Sequence, residues 1–311
     1  MRVLDGFWTD APMERGCVLA FGKFDGLHLG HQAVLRVVKE QAEQAGLDSA
    51  VLFLRPNPLR LIAPEHCPPS LTTESQTLAL LKDFGINLAA IGRFDERMRT
   101  TSAEAFLARL AEAFQARGIV TGTDVRFGYK GLGNVDTIRD GAARFGYETH
   151  LAEPAMDGGL PVSSTRAREA VRCGRLEEAA RLLGRPYSMS GRVAKGDQRG
   201  RELGFPTANI DYGDLQLPPD GIYAAWAEAD GQRHMSAASL GVRPTFDGKE
   251  RKLEAHLLDF DGDLYGKEME IAPVAKLRDE LRFENVEALI EQMRVDVERA
   301  REILSKPRFS Q

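Results

Sequence analysis

The spacing of apolar and polar positions changes along this 311-residue chain, and the change divides it. In the first half, short apolar runs alternate with stretches whose apolar residues recur every three or four positions. That is the pattern of strands followed by amphipathic helices. Residues 18–21 read as a strand, and residues 29–44 as a helix with Val34, Val37, Val38 and Ala42 on one face. Residues 50–54 are the next strand, stopped by Pro56 and Pro58. Thr72-Thr73-Glu74-Ser75 predicts a helix start that residues 78–84 continue, and residues 88–91 predict a strand. Residues 102–114 read as a helix capped by Ser102, with Ala105, Phe106 and Leu110 inward. A strand at 119–121, a glycine-rich loop to Asn134, a helix over 135–145 and a strand near 147–151 complete the alternation. Repeated strand–helix units predict a parallel sheet covered on both faces.

After Leu183-Gly184-Arg185-Pro186 the period shortens to that of strands. Runs at 188–194, 222–228, 237–240, 253–258 and 268–271 are separated by turn signals such as Asp230-Gly231, Asp247-Gly248 and Asp261-Gly262. Short strands without intervening helices predict an antiparallel barrel or sandwich. A closing helix over 286–304 would bury Val286, Leu289, Ile290, Met293, Val297 and Leu304. Residues 166–183 should be helical and lead into the boundary, so domains of 1–184 and 185–311 are expected. Composition adds only exclusions. Hydrophobic residues at 43% and charged residues at 28% suit a globular protein. A net charge of −5 offers nothing in bulk to nucleic acid or to a membrane surface. Cys17, Cys67 and Cys173 have no metal-site or disulfide-framework spacing. Asp5, Asp10 and Glu14 break any signal-type apolar core, and no run is long enough to span a bilayer, so a cytoplasmic location is expected.

Chemistry concentrates in a few strings. Gly22-Lys23-Phe24-Asp25-Gly26-Leu27-His28-Leu29-Gly30-His31 sits where a buried strand turns into a helix. Backbone N–H groups and a helix amino terminus hold phosphate there, and two imidazoles can donate to developing charge. In an open parallel sheet, ligands lie beyond the carboxyl ends of the strands. Gly122-Thr123-Asp124 and Ser163-Ser164-Thr165-Arg166-Ala167-Arg168 should therefore meet the histidine string. The latter alone reads better as an ordinary helix cap, and the histidine string at the same end of the sheet reverses that. In the second half, Gly204-Phe205-Pro206-Thr207-Ala208-Asn209 puts Thr207 and Asn209 on one face if extended, a pair of oxygens suited to magnesium. In isolation that string is an edge strand. The glycine-hinged Gly196-Asp197-Gln198-Arg199-Gly200-Arg201 could fold over phosphates, or simply be a solvated loop. Glu254 lies within a strand, as either a general base aimed at a site or an outward charge, while His256 on the same face reads as structural.

Taken together, these strings resemble the bacterial bifunctional riboflavin kinase/FAD synthetase family across almost the whole chain. Ser163-Ser164-Thr165 with Arg168, Leu183-Gly184-Arg185-Pro186-Tyr187, Gly241-Val242-Arg243-Pro244-Thr245, residues 253–257, Leu264-Tyr265-Gly266-Lys267 and Leu277-Arg278-Asp279-Glu280 extend the likeness. The resemblance implies a Rossmann-like nucleotidyltransferase domain with a parallel sheet, an FMN adenylyltransferase spanning 1–184. A small antiparallel β-barrel riboflavin kinase domain with a C-terminal helix, spanning 185–311, would follow. It implies riboflavin, FMN and ATP as substrates and Mg2+ as the cation. His28 and His31 would serve the transfer of AMP, with Gly22, Asp25, Gly30, Ser164, Thr165 and Arg168 about the phosphates and Asn57 and Asp124 near the flavin. Thr207 and Asn209 would hold metal and nucleotide together with Gly196 and Gly204. Glu254 would be the kinase base, and Arg278 would border the flavin. The family string Phe-x-Pro-His-Pro is Leu54-Arg55-Pro56-Asn57-Pro58 here, and Lys23, Gln76, Val125, Asn134 and Ser239 are further departures. These leave two other readings: a kinase with a weakened or silent adenylyltransferase domain, and a flavin-binding protein without catalysis.

Overall fold

The computed structural model describes residues 1–8, 15–195, 200, 203–245 and 248–306. Gly196 and Asp247 lie outside them. The chain forms two compact units, Met1–Pro69 with Glu74–Ser164, and Ser70–Thr73 with Thr165–Gln311.

The first unit contains a six-stranded parallel sheet of β1 (Arg2–Asp5), β2 (Cys17–Gly22), β3 (Asp48–Arg55), β4 (Leu88–Arg93), β5 (Ala116–Thr121) and β6 (Glu148–Leu151). Its strand order is β1-β4-β3-β2-β5-β6. The helices are α1 (Leu29–Ala45), α2 (Leu59–Ile62), α3 (Glu74–Asp83), α4 (Glu96–Thr100), α5 (Ala103–Ala113) and α6 (Val135–Phe145). Alternation along the central strands supplies both faces. Cys17, Leu19 and Leu52 enter one buried cluster with Phe7, Leu107 and Phe114, while Val18, Ala20, Val51 and Phe53 enter another with Leu35, Val38 and Leu81. Near-continuous apolar runs are what a strand covered on two sides requires. The expected helix ends hold, with Ser102 accepting from the N–H of Ala105 and Asn134 forming a capping box with Thr137. The order reverses beside β2, so the crevice beyond the carboxyl ends of β2 and β5 is where this topology places a ligand.

A small hairpin, β7 (Met156–Asp157) with β8 (Leu160–Pro161), precedes α7 (Ser164–Arg172) and α8 (Leu176–Leu183). Residues 166–183 are helical as expected, in two helices separated at Gly174, which has a φ of 72°. The closed antiparallel barrel of the second unit runs β10-β13-β12-β11-β14-β9. Its strands are β9 (Met189–Ala194), β10 (Ala208–Asp211), β11 (Gly221–Ala229), β12 (Gln232–Thr245), β13 (Gly248–Leu257) and β14 (Glu268–Arg278). Asp230 and Gly231, with φ of 53° and 72°, make the two-residue turn between β11 and β12. Tyr223, Ala225, Ala227, Ala238, Leu240, Leu253 and Ala255 fill the barrel. Helix α9 (Val286–Leu304) packs on its outside, with Ala300 and Leu304 against Ala224 and Leu277. The α9 stripe differs from expectation at its start. Val286 is 51% exposed, while Asp296 in the middle of the buried face is 4% exposed. An ion pair with Arg278 makes that burial tolerable.

Candidate functional site

Strand β2 ends at Gly22, and the next residues turn tightly before α1. Phe24, Gly26 and Leu27 take φ of 46°, 82° and 41°. Two non-glycine residues in the left-handed region cost backbone energy, held here by burial of Phe24 and Leu27. The turn delivers His28 to the N-cap of α1, where its Nδ1 accepts from the N–H of His31 at 3.3 Å. An accepting Nδ1 assigns the proton of the neutral ring to Nε2, leaving Nε2–H as a donor. His31 stacks on His28 with ring centroids 3.6 Å apart and planes 20° apart. Burial pushes the His31 imidazole well below its ordinary range, and the neighbouring His28 pushes the same way. His31 is thus neutral, and its Nδ1 is buried without a hydrogen-bond partner among the described residues. Gly30 leaves a close fit: a Cβ there would lie 3.1 Å from the His28 ring and from the carbonyl oxygen of Val162.

Ser164, the first residue of α7, donates from Oγ to the carbonyl oxygen of Asp25 at 3.0 Å, across 139 residues of sequence. The histidine turn and the Ser-Ser-Thr string therefore meet. Asp25 is 5% and His28 6% exposed. At the end of β5, Gly122 leaves room for the Asp124 carboxylate, whose Oδ1 would be 3.3 Å from a Cβ at 122. Thr165 is exposed and Arg168 half-buried, both on α7. Asn57 is half-buried in the turn that follows β3. Its Oδ1 accepts from the N–H of Leu59 at 3.1 Å, which is the work of a turn. Sequence reasoning passed over Arg55, half-buried at the end of β3, where Nη1 donates to Lys23 O at 3.2 Å and Nη2 to Thr77 Oγ1 at 2.8 Å. Only its place as the last residue of an apolar strand could have flagged it.

In the barrel, Asn209 of β10 stands opposite Glu254 of β13, and Glu254 opposite Ser239 of β12. Directly opposed residues share a face. Their strand neighbours Leu253, Ala255, Ala238 and Leu240 point inward, so this polar row lies on the outer face of the barrel. Glu254 is nonetheless half-buried, with Oε1 inaccessible. His256, on the same face, bonds through Nδ1 to Pro206 O at 2.9 Å and meets Phe205 edge-on. The strand that follows Pro206 thereby runs close to Glu254. Thr207 lines a pocket of about 150 Å³ bounded by Val193, Ala255, Asp261, Asp263 and Tyr265. Gly204 is exposed in the turn before it, with a φ of 84°.

Thr207, Asn209 and Glu254 offer only oxygen, which fits a hard divalent cation. Among the described residues no three His, Cys, Asp or Glu side chains form a cluster able to hold a metal unaided. The fit is to a cation shared with phosphate oxygens. Arg278 is held by an ion pair: Nε and Nη2 donate to the Asp296 carboxylate of α9 at 2.7–3.0 Å, and Nη1 donates to Asp279 O.

Two family models match this chain: FAD synthetase over residues 10–166 and riboflavin kinase over residues 183–304. It is 37% identical over 304 residues to a bifunctional riboflavin kinase/FMN adenylyltransferase of Pseudomonas fluorescens, covering 97% of both chains. The protein of that description from Escherichia coli K12 is 35% identical, with 96% of each chain covered, and that from Bacillus subtilis 32% identical, with 91% covered. A crystal structure described as a macrolide-efflux protein from Streptococcus pneumoniae superposes with a TM-score of 0.83 at 30% identity, covering 97% of this chain and 99% of that one. No helix among the described residues is long and apolar enough to cross a membrane. With relatives of this identity matching from end to end, the chain belongs to the bifunctional riboflavin kinase/FMN adenylyltransferase family.

Proposed function

We propose that the His28–His31 turn with Ser164 is the adenylyl-transfer site and that the Thr207–Asn209–Glu254 row is the phosphoryl-transfer site of a two-step flavin-cofactor enzyme. The family gives the chain both activities, riboflavin to FMN and FMN to FAD. The observation that carries the assignment of sites is the Ser164–Asp25 hydrogen bond, which joins two strings of the resemblance into one anion-binding end of the sheet.

In the adenylyl-transfer step a phosphate oxygen of FMN bonds to the α-phosphorus of ATP, and the bond to the β-phosphate breaks to release pyrophosphate. The N–H groups that open α1 and the Nε2–H of His28 face the charge that develops on the leaving group. His31, held neutral, donates without bringing a charge that ATP would have to desolvate. Asp124 orients the flavin. In the kinase step a ribityl oxygen bonds to the γ-phosphorus, ADP leaves, and the hydroxyl proton passes to Glu254. Thr207 and Asn209 would hold Mg2+ together with the nucleotide, the cation neutralising phosphate charge.

The test is incubation of the purified protein with riboflavin, ATP and magnesium, with the flavins resolved by chromatography. FAD is the expected product. FMN alone would mean a silent adenylyltransferase domain. Unchanged riboflavin would mean a flavin-binding protein without catalysis.

A further inference from the structure

Two arginines stand at the same register on adjacent strands, Arg55 ending β3 and Arg93 ending β4. Their surroundings are opposite. Arg93 is exposed and bonds two carboxylates, Asp5 and Glu74. Arg55 is half-buried and bonds only neutral oxygens: Lys23 O, Leu54 O at 3.3 Å and Thr77 Oγ1. Its guanidinium carbon also lies 5.4 Å from the centre of the Phe53 ring. Asp25 and Glu74 favour its charge through space, yet burial outweighs them and makes the cation harder to keep. A guanidinium partly withdrawn from water without an ionic partner is expensive. Of its five N–H groups, three are used, so Nε–H and one Nη2–H have no acceptor among the described residues. The anchors on Lys23 and Thr77 fix the head beside the turn that carries Asp25 and His28. Asn57, two residues further, cannot become charged and is already an acceptor for Leu59.

The geometry points to Arg55 as a substrate-binding residue of the adenylyl-transfer site, holding a phosphate group of a nucleotide substrate and supplying the positive charge that side chain 57 lacks here. This rests on the reading of that site given above. The phosphate belongs either to ATP or to FMN, and kinetics separate the two. In the full-length protein, Arg55→Met should raise the KM of FMN adenylylation for one substrate by about tenfold or more. If ATP is held, pyrophosphate should weaken as an inhibitor to the same extent. If FMN is held, only its KM moves. Riboflavin phosphorylation and the thermal midpoint should stay at wild-type values, since removing a costly buried charge does not loosen the core. Arg55→Lys should fall between, because an ammonium keeps the charge and loses the planar fork.

Unchanged KM for both substrates in Arg55→Met would overturn the inference. So would a KM rise matched by a lower thermal midpoint and no recovery in Arg55→Lys, which would make the residue a packing element. Should Arg55→Met fail to fold, Arg55→Lys decides through pyrophosphate inhibition and the KM for FMN: weakening of either supports the inference, constancy of both overturns it. A wild-type protein that makes no FAD would instead sink the site assignment itself.

Discussion

His28 serves twice, as the cap of α1 and as a ring stacked under His31. His28→Ala should therefore cost about 1 kcal/mol of stability through the lost cap. It should also slow FAD formation by about 10²–10³-fold. His31→Ala should match the second effect, and FMN formation should persist in both. Unaltered FAD synthesis in either variant removes that imidazole from the mechanism. His31 also predicts a pH dependence. The folded protein resists protonating it, so the unfolded chain binds that proton first as pH falls. Stability linked to neutral His31 is complete above the ordinary histidine value of 6.5 and is lost as the pH drops below it toward the lower folded value. Acidification from about pH 7 to 5 should lower the thermal midpoint of His31→Gln less than that of wild type. Glu254→Gln keeps shape and hydrogen bonding but cannot take a proton. Riboflavin phosphorylation should fall about 10²–10⁴-fold, with riboflavin affinity and FMN adenylylation kept. Near-normal turnover would leave phosphate positioning as the whole of the kinase mechanism.

Helix α9 shows how an element can be legible and still misread. Its length and its buried Ala300 and Leu304 follow from apolar spacing, but the face is centred on Asp296, and Val286 stays in water. Periodicity sets the phase of a helix, not whether a charge on its inner face will find a partner. Here the partner is Arg278, on a strand 18 residues earlier, and Gln292 also bonds the carboxylate. Side-chain exposures of 15% for Arg278 and 6% for Asp296 place the pair out of water. Asp296→Ala strands the guanidinium and should cost roughly 3–5 kcal/mol, read as a lower urea midpoint. Asp296→Ala with Arg278→Met should recover much of that loss; no recovery would deny the pair its role. The β2–turn–α1 unit and most barrel strands were legible because each carries a local period. Strand β1, four residues on a sheet edge, and β10, four residues after a proline, are too short to carry one. The Ser164–Asp25 bond and the neutral setting of Arg55 depend on tertiary neighbours that no local window contains.

The expected boundary at 184/185 and the compact units do not coincide, and the difference bears on dissection. Ser70 pairs in parallel with Leu215, the N–H of Ser70 donates to Asp214 O, and Thr73 Oγ1 meets Ser190 Oγ at 3.1 Å. Leu71 and Thr72 are buried at 1% and 2% exposure. A fragment of 185–311 lacks all four residues, as well as α7 and α8. It should form the barrel and phosphorylate riboflavin, but melt below the kinase unit of the intact protein by at least several degrees, since about 1 kcal/mol moves a domain of this size roughly 4 °C or more. A folded but inactive fragment would show that the kinase needs what was cut away. The same four residues constrain synthesis. The backbone passes between units at 69/70, 73/74 and 164/165, so the second unit is not a continuous stretch of sequence. Ser70–Thr73 leaves the ribosome before its partners Ser190 and Asp214–Gln216 have been translated. At roughly 5–20 residues per second, the wait until Gln216 has been added is on the order of ten seconds or more. For that interval a leucine destined for burial is a ready contact for a holding chaperone, although every residue of the first unit has been translated once Ser164 is added.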